Sequence, residues 1–240
     1  MEAFAQDRIE SLFERFTALY RGRERGIWER GPAEASEKNG AFLADQTLTL
    51  ERFREHLSGA GRSYGLNLLD ARNRVRFCMY DMDAYPRNAP HAEMLQKLRE
   101  LKPRALQLRD ALRAAGIGPD RLLLEFSGTG FHFWMFYADP QPATEVKDWM
   151  AALLQRAGLK GVPFKPQRTE ATDSHAGDKV WLPLRINSNQ GSRSVFIRDL
   201  DRFDPGGGED DAGLDLLEAV RPIAAEDLAR LRRELRPHLS

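Results

Sequence analysis

Cysteine is almost missing: Cys78 is the one thiol in 240 residues, so neither a disulfide framework nor a cysteine-built zinc site is available. Its place inside an apolar stretch gives it a packing role, and a chain without disulfides suits a reducing, cytoplasmic location. Long hydrophobic runs are missing as well. No segment approaches the length of a membrane span, and Met1 to Asp7 lacks the basic-then-apolar pattern of a secretory leader. Neither secretion nor membrane insertion is expected. An excess of charge of one sign is the third absence. Lysine plus arginine and aspartate plus glutamate both number 36, which excludes a polybasic coat protein and makes any contact with nucleic acid local. Arginine far outnumbers lysine, which suits forked contacts to phosphate and is equally the mark of GC-rich coding.

What remains is a globular composition, 42% hydrophobic and 30% charged, long enough to bury a core without staples. Ile9, Leu12, Phe13, Phe16, Leu19 and Tyr20 recur at helical spacing and predict an amphipathic helix over 6–20. Thr49 reads as the N-cap of a helix running to Leu57. Further helices are expected over 92–115, kinked or restarted at Pro103, over 144–157, and over 225–235 with a basic exposed side. Residues 31–40 read as an exposed loop. Tyr64 to Leu69 and Val75 to Asp81 read as a hairpin around Asp70–Asn73, and Leu122 to Phe126 and Phe131 to Tyr137 as a second hairpin around Ser127–Gly130. Short strands are expected near Val162–Phe164, over 179–186 and over 194–197, the last two joined by a loop rich in turn formers. Hairpins imply antiparallel pairs. The expected class is therefore α+β with mixed or antiparallel sheets, in preference to a doubly wound parallel fold. Residues 1–60 read as a helical extension, 61–205 as the core, and 206–240 as an acidic linker and a helix that docks on the core or meets a protein partner.

Two stretches stand out chemically. The apolar run Val75 to Met82 carries Asp81 and Asp83 at its end, and alternation along a strand projects both carboxylates to one side, where they suit a shared divalent cation. An acidic pair also describes the plain start of a polar loop. The second stretch is Ser127-Gly128-Thr129-Gly130-Phe131-His132. A glycine turn lets backbone N–H groups approach an anion, Ser127 and Thr129 add hydroxyls, and His132 follows as a donor. A simple hairpin turn with a packed histidine fits the same residues. Together the two stretches supply what nucleotidyl transfer needs, a metal clamp and a triphosphate grip. Lys165, Arg168, Arg185 and Arg193 fall near strand ends or loops, as phosphate-binding cations do and as ordinary surface charges also do.

In this order, Asp-x-Asp, Ser-Gly-x-Gly-x-His, Leu182-Pro183-Leu184 and a Gly-x-Arg-Ser-x-Phe segment at 191–196, the chain resembles the archaeo-eukaryotic primase superfamily. More narrowly it is similar to primase-polymerases of CRISPR-associated and related conflict systems, through Tyr20-Arg21-Gly22-Arg23-Glu24, His56-Leu57-Ser58-Gly59, Tyr64-Gly65-Leu66 and Pro166-Gln167-Arg168-Thr169-Glu170. The resemblance implies an RNA-recognition-motif-like catalytic sheet with Asp81 and Asp83 holding Mg²⁺ or Mn²⁺. It implies that Ser127, Gly128, Thr129, Gly130 and His132 bind a nucleoside triphosphate, with Arg185 and Arg193 on phosphate or on a single-stranded template. The activity implied is a DNA or RNA primase or primase-polymerase. The superfamily's third carboxylate, on a strand before the Leu-Pro segment, has no counterpart in Gly161 to Phe164; Glu170 or Asp173 is the expected substitute, with Asp199 more remote. A chain short of one ligand also fits a second class, a nucleotide- or nucleic-acid-binding module that does not polymerise. A third class, a nucleotide cyclase or phosphodiesterase, accommodates Asp-x-Asp but not the Ser-Gly-x-Gly-x-His turn.

Overall fold

Val75 to Asp83 alternates between two environments, and that alternation sets the architecture. In the computed structural model, which describes residues 6–31, 40–58, 62–172, 177–186, 193–207 and 212–238, the chain is a mixed α+β fold with two antiparallel sheets. Its strands are β1 (Ile27–Arg30), β2 (Ala41–Leu43), β3 (Ser63–Asn67), β4 (Arg74–Asp83), β5 (Leu123–Phe126), β6 (Gly130–Pro142), β7 (Phe164–Lys165), β8 (Lys179–Trp181) and β9 (Val195–Phe196). Its helices are α1 (Gln6–Leu19), α2 (Leu50–Ser58), α3 (His91–Ala114), α4 (Ala143–Arg156), α5 (Leu214–Ala219) and α6 (Ala225–Leu235). One sheet has the order β2-β1-β3-β8 and the other β7-β4-β6-β5-β9.

The long pair β4·β6 is the spine of the five-stranded sheet, with Phe77 opposite Phe136, Met79 opposite Trp134 and Asp81 opposite His132. Cys78, Tyr80 and Met82 point to the other face. There the Tyr80 hydroxyl donates to Met150 O at 3.0 Å and Cys78 Sγ meets the Tyr137 hydroxyl at 2.9 Å. The face carrying Phe77 is closed by Tyr20, whose ring stands edge-on to Phe77, Trp134 and Phe136. Aromatic rings bury large areas and prefer such tilted contacts, so this cluster fixes α1 on the sheet. The same face ends in carboxylates, because apolar residues stop at Met82.

The second hairpin and the helices over 6–20, 144–157 and 225–235 fall where they are expected, and Thr49 caps α2 by accepting from Arg52 N at 3.3 Å. Pro103 lies inside one continuous α3. The first hairpin is corrected. Its turn exists, with Asp70 Oδ1 accepting from the backbone of Arg72 and Arg74, but β3 joins β1 and β8 while β4 joins β6 and β7. Two strands before residue 60, β1 and β2, are additional to the expectation, and they pair into the same sheet as β3. Lys179 to Ile186 is strand only over β8; Leu182 to Leu184 turns away, with Leu184 at φ 69°. The loop at 187–191 lies outside the described residues, as does most of 31–40. The helix α6 lays Leu228, Leu231 and Leu235 into the core, and its Arg232 pairs with Glu145 of α4, so its apolar face is used within the chain. Among the described residues no helix is long and apolar enough to cross a membrane.

Candidate active site

The polar end of β4·β6 gathers Asp81, Asp83 and His132, whose ligating atoms all lie within 4.8 Å of one another. Strand alternation puts the two aspartates on one face, and antiparallel register brings His132 opposite Asp81 and Gly130 opposite Asp83. A side chain at Gly130 is not tolerated: a Cβ there would lie 2.6 Å from Asp83 Oδ1 and 2.3 Å from Met82 O. Gly128 takes φ 85° in the tight turn, where only glycine is unstrained.

His132 is held by a residue that the motif reading passes over. Its Nδ1 lies 2.8 Å from Glu125 Oε2, which also accepts from Trp134 Nε1 at 2.8 Å, while its Nε2 lies 3.3 Å from Asp81 Oδ1. Burial opposes the charge of His132, yet Glu125 and Asp81 outweigh it and lift the imidazole well above its ordinary pKa. It is an imidazolium. Burial also works against Asp81, but the cation beside it, aided by Arg87 and Lys165, holds that carboxyl down to about 2. Asp83 moves the other way, raised by burial and by the charge of Asp81. Arg87 pairs with Asp83, and Thr129 Oγ1 donates to Asp83 Oδ1 at 3.3 Å.

A divalent cation suits this donor set. Asp81 Oδ1 is buried, and the His132 ring at 3.3 Å is its one close partner, an ion pair of poor hydrogen-bond geometry. A buried anionic oxygen with a single imperfect partner keeps acceptor capacity for a further cation, and hard carboxylate oxygens match Mg²⁺ or Mn²⁺.

The other expected residues are distributed unequally. Ser127 is buried inside the turn, donating to Gly130 O at 3.3 Å. Lys165 lies on β7 beside β4 and pairs with Asp178 at 3.3 Å; Arg168 is exposed, its backbone N–H donating to the same carboxylate at 2.8 Å. Arg185 lies within the field of Glu125 and Asp83, although burial, its largest influence, depresses its pKa. Arg193 instead donates to Leu184 O at 2.7 Å and holds that turn. The Arg-Ser segment reaches the site through Ser194, a hydrogen-bond partner of Glu125. Glu170 is exposed and outside the metal group, since its neighbour Ala171 is tied to Asn73 Oδ1 at the far end of β4. Asp199 is likewise outside the group, and Asp173 is outside the described residues. The position beside Asp81, immediately before β7, is Pro163, whose carbonyl accepts from Asp81 N at 2.9 Å. Of the residues missed, Glu125 had a signal, an acid inside the run Leu122 to Phe126; Arg87 had none.

The model of the archaeo-eukaryotic primase domain of TOTE conflict systems matches residues 14–231. The chain belongs to that family. Among solved structures this primase-family domain is similar to the AEP domain of the cyanophage S-2L primase-polymerase, at 14% identity and a TM-score of 0.43 over 91% of this chain and 100% of that one. It is also similar to the polymerase domain of Mycobacterium tuberculosis ligase D in complex with DNA, at 14% identity and a TM-score of 0.38 over 95% and 87%. No curated protein matches the chain.

Proposed function

We propose that the domain is a template-dependent nucleotidyltransferase that makes primers from nucleoside triphosphates, with divalent cations at Asp81 and Asp83. The observation that supports this most is the convergence of two carboxylates and a buried histidine at one strand mouth, their ligating atoms all within 4.8 Å of one another. Bound there, Mg²⁺ or Mn²⁺ supplies activation of a 3′-hydroxyl and neutralisation of the departing pyrophosphate. His132 acts as a cation. With Nδ1 committed to Glu125, its Nε2 faces the carboxylates and is the ring atom available to a triphosphate oxygen. Asp83 is kept in place by Thr129 and by Arg87, a second cation for phosphate oxygens once a metal takes over the carboxylate. Lys165 and Arg185 add positive field from the two flanks, which favours an anionic substrate over water.

Primer synthesis on a single-stranded template with Mg²⁺ or Mn²⁺ tests this reading. Asp81→Ala combined with Asp83→Ala should abolish product, and full activity in that variant would overturn the mechanism. A second reading, a nucleotide-binding module without synthesis, is favoured by Pro163, which leaves the site two carboxylates where a third would stand. Calorimetric triphosphate binding without product on primed or unprimed templates would establish it.

A further inference from the structure

The four-stranded sheet carries a face that the site above does not use. In register, Phe42 stands opposite Trp28, Trp28 opposite Gly65 and Gly65 opposite Trp181, so these four lie side by side across β2, β1, β3 and β8. On the same face Arg30 stands one step to one side of this row and Asn67 with Lys179 one step to the other, while Ile27, Tyr64, Leu66 and Val180 fill the buried face. The aromatic rings are arranged as a floor. Trp181 lies over Gly65, where a Cβ would meet its ring at 3.0 Å, and Trp28 is anchored by its Nε1 donating to Asn67 Oδ1 at 2.9 Å. Phe42 packs on Trp28 with ring centroids 5.1 Å apart and remains 39% exposed. The Lys179 ammonium is 4.2 Å from the Trp28 ring centre and 4.9 Å from that of Trp181.

An exposed ring and two half-buried ones beside cations call for a ligand with both flat apolar surfaces and negative charge. Burial lowers the pKa of Lys179, and Arg30 and Lys165 lower it further; Arg185, lowered mainly by burial, also feels Arg30. The cations of this face thus lie within each other's fields and extend to Lys165 and Arg185 beside Asp81 and Asp83. A single strand of nucleic acid matches that description, since every base has a stacking face and every linkage a phosphate. A duplex, whose bases are already stacked, does not.

We propose that this sheet face is a platform for single-stranded nucleic acid, with bases stacked on Phe42, Trp28 and Trp181 and phosphates against Lys179 and Arg30. The strand's role as template rests on the primase reading; the binding does not. Trp134 and Trp149 are buried at 0% and 1% exposure, so intrinsic fluorescence quenched by a ligand reports on Trp28 and Trp181. Oligothymidylate and oligouridylate, titrated into the metal-free chain, should bind with quenching and with affinity that falls as salt rises. Trp181→Ala and Phe42→Ala should each raise the Kd about tenfold. Lys179→Ala should reduce the salt slope by about one. Phe42 is exposed, and an unchanged melting temperature in Phe42→Ala separates lost stacking from lost folding. Binding without quenching, an unchanged Kd in both Phe42→Ala and Trp181→Ala, or no binding of either oligonucleotide would overturn the proposal. So would quenching by polyglutamate alone, which would assign the face to an acidic polypeptide. A chain that binds with quenching and synthesises nothing overturns the primase reading and leaves the platform; one that synthesises while the Phe42 and Trp181 variants bind normally does the reverse.

Discussion

The two sheets handle charge in opposite ways. In the five-stranded sheet the acids Asp81, Asp83 and Glu125 are drawn in at a strand mouth and bound to one another through His132, Arg87 and Thr129. In the four-stranded sheet Lys179 rests on two indoles at the surface. Buried charges survive only when each has a partner, whereas a cation at the surface keeps contact with solvent. The first region therefore asks for a cation held tightly, the second for an anion held by many small contacts.

The largest effect should come from breaking the interlocked set. Glu125→Ala leaves an imidazolium and an indole N–H unpartnered in the core, and should cost about 3–5 kcal/mol in denaturant unfolding. It should also lower the His132 titration followed by NMR, because the main upward influence is gone. Glu125→Gln, which keeps an acceptor, should cost less.

A smaller effect sharpens the contrast through the other buried histidine. His56 accepts from Tyr64 N at 3.1 Å through Nδ1 and so donates through Nε2 to Pro183 O at 2.8 Å. It is neutral. Burial, helped by Arg185 and Arg193, pushes its pKa down to about 4 in spite of the Pro183 bond. Because the unfolded chain binds the proton more readily, this residue lowers stability as pH falls from about 6.5 to about 4, by on the order of 3 kcal/mol in full. Melting curves across that window should show the loss, and His56→Ala, less stable at pH 7, should flatten it. The smallest effect concerns Pro163. Pro163→Asp should add a third carboxylate beside Asp81 and lower the Mn²⁺ concentration at half-saturation roughly tenfold, read by calorimetry.

Sequence patterns reveal the five-stranded sheet far better than the four-stranded one. Phe131 to Tyr137 and Val75 to Asp83 are long and apolar, and their charges stand at motif positions, so both pairing and site are legible. Ile27–Arg30 and Ala41–Leu43 are too short and too exposed to show a period. The false hairpin has a clear cause. Asp70 does form its turn, but turn chemistry fixes the local reversal and not the partner, and packing sends β3 and β4 to different sheets. Arg193 and Ser194 show a similar limit: the motif marks the segment, while tertiary contacts decide that the hydroxyl, not the guanidinium, reaches Glu125.

The turn at Leu182 to Leu184 has a mechanical meaning. Leu182 N donates to Tyr64 O at 3.0 Å on one sheet, Pro183 O accepts from His56, and Leu184 is gripped by Ser194 Oγ at 2.6 Å and by Arg193 on the side of the other. These four backbone groups are already committed, so this crossing behaves as a riveted joint. The spacing between the cationic floor and the acidic mouth is therefore built in.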